Sequence, residues 1–137
     1  MYLVDTNVLS ELSKRSPHEG VRTWFESVHA EQLWLSVLVL GELRAGIANR
    51  ARRDARGAAR LGAWLDKIVA EHKPRILPVT SKVAFVWGPL NVPDKLPAID
   101  GLLAATAIVH DLTLVTRNVR DVARTGVRVL NPFDSDI

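Results

Sequence analysis

Three acids stand where structure alone gives little reason for an acid. Asp5 directly follows the apolar run Tyr2-Leu3-Val4, which reads as a short buried strand. Glu42 has Leu38, Val39, Ala45 and Gly46 three and four positions away, so on a helix it shares a face with apolar or small residues. Asp100 lies at the start of Ile99–Val109, a run almost wholly apolar or small. Each acid has an ordinary reading. Asp5 could cap the next helix, Glu42 could pair with Arg44 or Arg117, and Asp100 could favour the positive end of a helix dipole. A further apolar run ends in Thr116-Arg117-Asn118, with Asp121 three residues on. Asn118 by itself reads as a turn or cap residue.

Taken together, Asp5, Glu42, Asp100 and the Asn118/Asp121 pair come from strand ends and helix starts that would meet at one edge of a sheet. Carboxylates gathered there repel one another unless a cation neutralises them. An all-oxygen donor set, with no clustered His and no Cys, selects Mg²⁺ or Mn²⁺ over zinc or copper. Such ions activate water and stabilise charge on a phosphoryl group. Phosphodiester hydrolysis is the chemistry that fits.

The elements that must position these residues follow from the hydrophobic pattern. Strands are expected at Tyr2–Val4, Leu33–Ser36, Arg75–Val79, Leu112–Thr116 and Val127–Leu130. Helices are expected over Val8–Lys14, Val37–Asn49 and Ile99–Val109, with a longer helical or helix-turn-helix stretch from Arg50 to His72. Ser16-Pro17-His18-Glu19 reads as a helix start with Ser16 as cap, and Thr80 as the cap of another. Asn91–Pro97 is the most loop-like segment, and residues 134–137 are expected to fray. Strands alternating with helices predict an α/β sandwich on a mainly parallel sheet, in which ligands bind beyond the carboxyl ends of the strands.

The chain has 137 residues, enough for one domain with a sizeable core. It contains 0 Cys, which excludes disulfides, thiolate zinc sites and cysteine nucleophiles. No apolar run is long enough to span a bilayer, and the first residues lack a signal-peptide pattern, so a cytoplasmic protein is expected. A net charge of +3 permits a nucleic-acid ligand without requiring one. Arg50, Arg52, Arg53 and Arg56 read either as a solvated helix face, the favoured reading, or as contacts to phosphates. Trp24, Trp34, Trp64 and Trp87 fall in apolar patterns and read as core or interface residues.

Four motifs carry a family likeness. They are the opening Tyr2-Leu3-Val4-Asp5-Thr6-Asn7-Val8-Leu9-Ser10, then Ser36-Val37-Leu38-Val39-Leu40-Gly41-Glu42-Leu43-Arg44-Ala45-Gly46, then Ile99-Asp100-Gly101-Leu102-Leu103-Ala104-Ala105-Thr106-Ala107, and Leu114-Val115-Thr116-Arg117-Asn118 with a closing Asn131-Pro132-Phe133. In this order and spacing the chain resembles a PIN-domain ribonuclease of the VapC or FitB type, the toxin of a bacterial toxin–antitoxin pair. The likeness covers essentially the whole chain and implies a single PIN domain over residues 1–137. It implies a three-layer α/β/α sandwich with about five short strands, and a Mg²⁺- or Mn²⁺-dependent endoribonuclease. Asp5 and Asp100 would hold the ion, and Glu42 would bind through water or act as general base. Thr6 and Thr116 match small hydroxyl residues that orient the acids or a water. Asn118 stands where the family often has a fourth acid; either Asn118 would complete the site with its carbonyl oxygen or through a metal-held water, or Asp121 would supply the carboxylate from the next turn. Arg44 and Arg117 would contact RNA phosphates. The likeness further implies a homodimer and a small antitoxin that blocks the site and binds operator DNA, with candidate antitoxin grooves around Trp24, Trp64 and Leu65.

Two rivals differ in class. A haloacid-dehalogenase-like phosphatase also opens on a strand ending in Asp, but needs a second Asp where this chain has Asn7. A catalytically degenerate binding module would explain Asn118, but not the retention of Asp5, Glu42 and Asp100.

Overall fold

The structure is a computed structural model that describes residues 1–134. Five strands form its sheet: β1 (Tyr2–Val4), β2 (Leu33–Ser36), β3 (Ile76–Leu77), β4 (Thr113–Val115) and β5 (Val129–Leu130). Their order is β3-β2-β1-β4-β5, and all four pairings are parallel. Seven helices connect them: α1 (Thr6–Leu12), α2 (Glu19–Ser27), α3 (Val37–Ala51), α4 (Ala55–His72), α5 (Ser81–Leu90), α6 (Ala98–His110) and the short α7 (Val119–Val122). This is the expected α/β sandwich, with a sheet that is wholly parallel. Because crossover helices cover such a sheet, its central strands are buried: Leu3, Val4, Leu114 and Val115 are all closed to solvent. They join Val8, Val39, Leu103, Ala104 and Ala107 from the helices in one core.

Local chemistry sets most of the boundaries. Ser36 Oγ accepts the Leu38 N–H at 3.1 Å and starts α3 immediately after β2. Thr80 Oγ1 accepts the Val83 N–H at 3.2 Å and starts α5, as expected. Two expectations are corrected. The cap of α2 is His18, whose Nδ1 accepts the Gly20 N–H at 3.1 Å, and not Ser16. The His18 N–H is itself held by Glu11 Oε2 at 2.8 Å, which fixes the helix entry two residues later than the Ser-Pro signal suggests. The Arg50–His72 stretch breaks at Asp54, which caps α4 through the Gly57 N–H at 2.9 Å. The third strand keeps only Ile76–Leu77 of the expected five residues, since Pro78 has no N–H to continue a ladder. The fraying expected of the last residues lies, from position 135 on, outside the described residues.

Among the described residues no helix is long and apolar enough to cross a membrane. Trp24, Trp34 and Trp64 pack against the core, in line with the sequence reading, and the indole N–H groups of Trp24, Trp34 and Trp87 are buried with no partner among the described residues. Leu65 is only 2% exposed, so it belongs to the core and cannot line a surface groove.

Candidate active site

The chain leaves β1 toward β2 and returns on the opposite side at β4, so the strand order switches direction between β1 and β4. In an open parallel sheet this crevice, beyond the strands' carboxyl ends, is where ligands bind. Val4 pairs with Val115, which brings the next residues, Asp5 and Thr116, side by side in the crevice. The Asp5 N–H donates to the Val115 carbonyl at 2.9 Å, extending the ladder one step.

Asp5 is 4% exposed and Thr116 1%. Burying a carboxylate costs several kcal/mol unless donors meet it, and here they do. Asp5 Oδ1 accepts the Thr6 N–H at 2.6 Å. Asp5 Oδ2 accepts the Thr116 hydroxyl at 2.7 Å and, more weakly, the Asn7 amide at 3.4 Å. Asp5 therefore does cap α1, as its ordinary reading has it, but only with one oxygen. Thr116 Oγ1 in turn accepts the Asn118 N–H at 2.9 Å. Across the crevice, the Thr6 hydroxyl donates to Glu42 Oε1 at 2.5 Å, tying the first turn of α1 to the second turn of α3. Neither Arg44 nor Arg117 pairs with Glu42, and none of Asp5, Glu42, Asp100 and Asp121 forms an ion pair among the described residues.

The acids feel one another. Burial pushes the Asp5 carboxyl above its ordinary value; the bonds from Thr116 and Thr6 pull it down, and the charge of Glu42 pushes it up further. Burial also raises Asp100, followed by the charges of Asp5, Asp121 and Glu42, while a side-chain hydrogen bond from Asn118 opposes them. Asn118 immediately precedes α7 and makes no capping bond with its side chain. Thus Asp5, Glu42, Asp100, Asn118 and Asp121 all act on one place.

Among the described residues, no three His, Asp or Glu side chains are drawn tightly enough together to make a ready-made metal cage. The donor chemistry nonetheless fits Mg²⁺ or Mn²⁺. It is all oxygen, it is negatively charged without a basic partner, and a small hard cation takes one or two carboxylates and keeps waters for the rest.

Beside the acids opens a groove of about 750 Å³. Thr6 and Glu42 stand at its inner end, and α1, α3 and α4 form its walls. Arg50 and Arg53 line it, whereas Arg52 and Arg56 of the same sequence cluster do not. Arg44 is exposed and lies outside it. Arg117 is exposed as well, with its guanidinium 4.5 Å from the centre of the Phe133 ring and its N–H on Asn7 Oδ1 at 3.2 Å. The sequence reading missed two groups. Asn7 bridges Asp5 to the loop after β4, and its place in the Asp5-Thr6-Asn7 run was the available signal. Lys14 and Arg15, in the turn after α1, and Arg60, on α4, join the groove from distant stretches of sequence.

The family model described as PIN domain matches residues 2–127. The toxin FitB of Neisseria gonorrhoeae is 34% identical, covering 97% of this chain and 99% of its own. The VapC ribonuclease Y4jK of Sinorhizobium fredii is 29% identical over 98% and 99%. Among solved structures, FitAcB from Neisseria gonorrhoeae superposes with a TM-score of 0.90 at 33% identity, over 98% of this chain and 99% of that one. FitAB bound to an IR36 DNA fragment superposes with a TM-score of 0.88 at 31% identity, over 97% and 96%.

Proposed function

The chain belongs to the PIN domain family, and on that premise we propose that it is a Mg²⁺- or Mn²⁺-dependent endoribonuclease serving as the toxin of a toxin–antitoxin pair. The observation that carries this reading is the placement of Asp5 in the β1/β4 crevice with Glu42 tied to it through Thr6, both without a basic partner among the described residues, and with Asp100 near enough to feel their charges. The names of the relatives, a toxin and a ribonuclease, support it.

Asp5 and Asp100 would hold the cation, with Glu42 reaching it through water. When bound, the cation supplies Lewis acidity at the phosphate and lowers the pKa of a water for in-line attack. The chain's own residues do the rest. Thr116 and the Thr6 N–H fix both Asp5 oxygens, so its carboxylate is pre-aimed. The Thr6 hydroxyl occupies Glu42 Oε1 and leaves Oε2 free to take a proton from the attacking water. Asn118 steadies Asp100, and Asp121 adds the negative charge that Asn118 lacks. Arg117, stacked on Phe133 at the rim, is placed to meet a phosphate.

As a toxin the protein would act in the cytoplasm, as a homodimer, and would be held in check by a small antitoxin that binds operator DNA. That FitAB, a similar structure, is bound to DNA supports the DNA-binding part of this reading. The test is cleavage of RNA by the purified protein. Cleavage is expected with Mg²⁺ or Mn²⁺, none with chelator, and none from Asp5→Asn or Asp100→Asn. Full activity in both variants would remove the site, and activity in chelator would remove the cation.

A further inference from the structure

The groove beside the acids has a charge pattern that the acid site does not explain. Lys14 and Arg15 line it from the end of α1, Arg50 and Arg53 from the end of α3, and Arg60 from α4. Glu42 is the one acid in its lining, at the inner end. Lys14 is paired with Glu11 at 2.9 Å and Arg50 with Asp54 at 3.1 Å. Arg15, Arg53 and Arg60 are exposed and make no side-chain hydrogen bond or ion pair among the described residues. Three free guanidinium forks around one concavity are suited to bidentate phosphate contacts.

Position along the helix decides which phosphates these are. Glu42 and Arg50 are eight residues apart on α3, about 12 Å. Arg50 therefore stands about two helical turns from Glu42. A cation at that spacing meets a phosphate flanking the one being cut. Asp100, Asp5, Asp121 and Glu42 share one negative field, and none of the first three lines the groove. Leu61 and Trp64 form an apolar wall on which bases can rest.

We propose that the α1–α3–α4 groove is the track for a single RNA strand on one side of the cleaved bond, with Arg15, Arg53 and Arg60 as its main phosphate contacts and Lys14 and Arg50 as support. This rests on the ribonuclease reading above, and it moves the expected substrate contacts away from Arg44. An acidic amphipathic peptide is the competing occupant. The groove's opening onto the acids favours RNA.

The test uses the intact chain in chelator, where RNA is bound and not cut, and a short fluorescein-labelled single-stranded RNA read by fluorescence polarisation. The groove variant is Arg15→Glu/Arg53→Glu/Arg60→Glu. The control is Lys67→Glu/Lys82→Glu/Lys95→Glu, with the same change in net charge on exposed residues outside the groove. The groove variant should bind at least about tenfold more weakly, and its dependence of log K on log salt should flatten by about 2, at about 0.7 per lost contact. The control should change far less. Arg15→Gln/Arg53→Gln/Arg60→Gln should show the same flattening if the reversed charges disturb folding. Equal losses in groove and control variants would overturn the proposal, as would unchanged binding. So would retained RNA binding with lost capture of an acidic peptide. Groove-dependent binding by a wild-type protein that cuts no RNA with Mg²⁺ or Mn²⁺ would sink the ribonuclease reading and leave the track. Cleavage by wild type with unaltered binding by the groove variant would do the reverse.

Discussion

Replacing Thr116 by Val tests how the site holds its central acid. Valine keeps the shape of threonine and removes the hydroxyl that donates to Asp5 Oδ2 at 2.7 Å. Both residues are almost closed to water, so nothing replaces the lost donor. A hydrogen bond to a charged group contributes about 1.5–3 kcal/mol. The Asn118 N–H also loses its acceptor, but Asn118 is exposed and water can serve it. The expected loss is about 2 kcal/mol at pH 7. Unfolding entropy of about 2.1 cal/mol/K per residue over 137 residues converts this to a drop of about 7 °C in Tm. The loss must depend on pH. Burial, the largest cause, raises Asp5 above 3.8, so its ionisation costs the folded state stability as pH rises through the raised value, and the Thr116 bond offsets part of that cost. The bond is worth most where Asp5 is ionised, above its raised value, and only an ordinary neutral hydrogen bond, about 0.5–1.5 kcal/mol, where Asp5 is protonated. Thermal melts of the chelator-treated protein at pH 7 and near pH 4 should show the larger deficit at pH 7. A deficit below about 0.5 kcal/mol at pH 7, or equal deficits at both, would refute the reasoning.

Three further perturbations probe the same crevice. Asn7→Ala removes the bridge between Asp5 and the Arg117 N–H; it should cost about 1 kcal/mol in urea unfolding and raise the cation concentration needed for half-maximal cleavage, whereas a purely structural role would leave that requirement unchanged. Asp100→Asn should stabilise the chelated protein by about 1 kcal/mol at pH 7 while ending cleavage. Burial, then the charges of Asp5, Asp121 and Glu42, raise this carboxyl, so its stabilising contribution is present below 3.8 and lost as pH rises through the raised value. The gain from Asn should therefore vanish on acidification, and a lower Tm at pH 7 would contradict it. Asn118→Asp should tighten Mn²⁺ binding in calorimetric titrations and Asp121→Asn should weaken it; unchanged affinity in both would leave Asp5, Glu42 and Asp100 as the only carboxylates that matter.

The acids were legible because each breaks a local rule. Asp5 ends an apolar strand, Glu42 interrupts an apolar helix face and Asp100 sits on a helix with six buried residues. Burial of such groups needs a reason that neighbours three or four positions away cannot supply, so the sequence itself points to a tertiary partner. The groove was not legible for the opposite reason. An exposed arginine breaks no rule, and Arg50, Arg52, Arg53 and Arg56 look like one solvated face as long as the helix is taken to run through them. The chain turns at Asp54 between α3 and α4, and Arg50, Arg53 and Arg60 line the groove between these helices while Arg52 and Arg56 do not. Helix starts failed in a similar way. Ser16-Pro17 is a good local signal, but the contact of Glu11 with the His18 N–H comes from the preceding helix and overrides it.

Thr6 is the residue at which the two halves of the site meet. Its N–H serves Asp5, its hydroxyl serves Glu42, and its side chain forms the inner end of the cationic groove. A phosphodiester strand needs both halves at once, since cations alone hold it without cutting and acids alone repel it. Placing the two charges on opposite sides of one short helix start, rather than interleaving them, keeps the arginines from neutralising the carboxylates as ion pairs. Under the proposed function, that separation would leave the acids free for a divalent cation and the arginines free for phosphate. Burial above all, and neighbouring carboxylates after it, hold the Asp5 and Asp100 carboxyls above their ordinary value, which is the field a divalent cation would relieve under the proposed function.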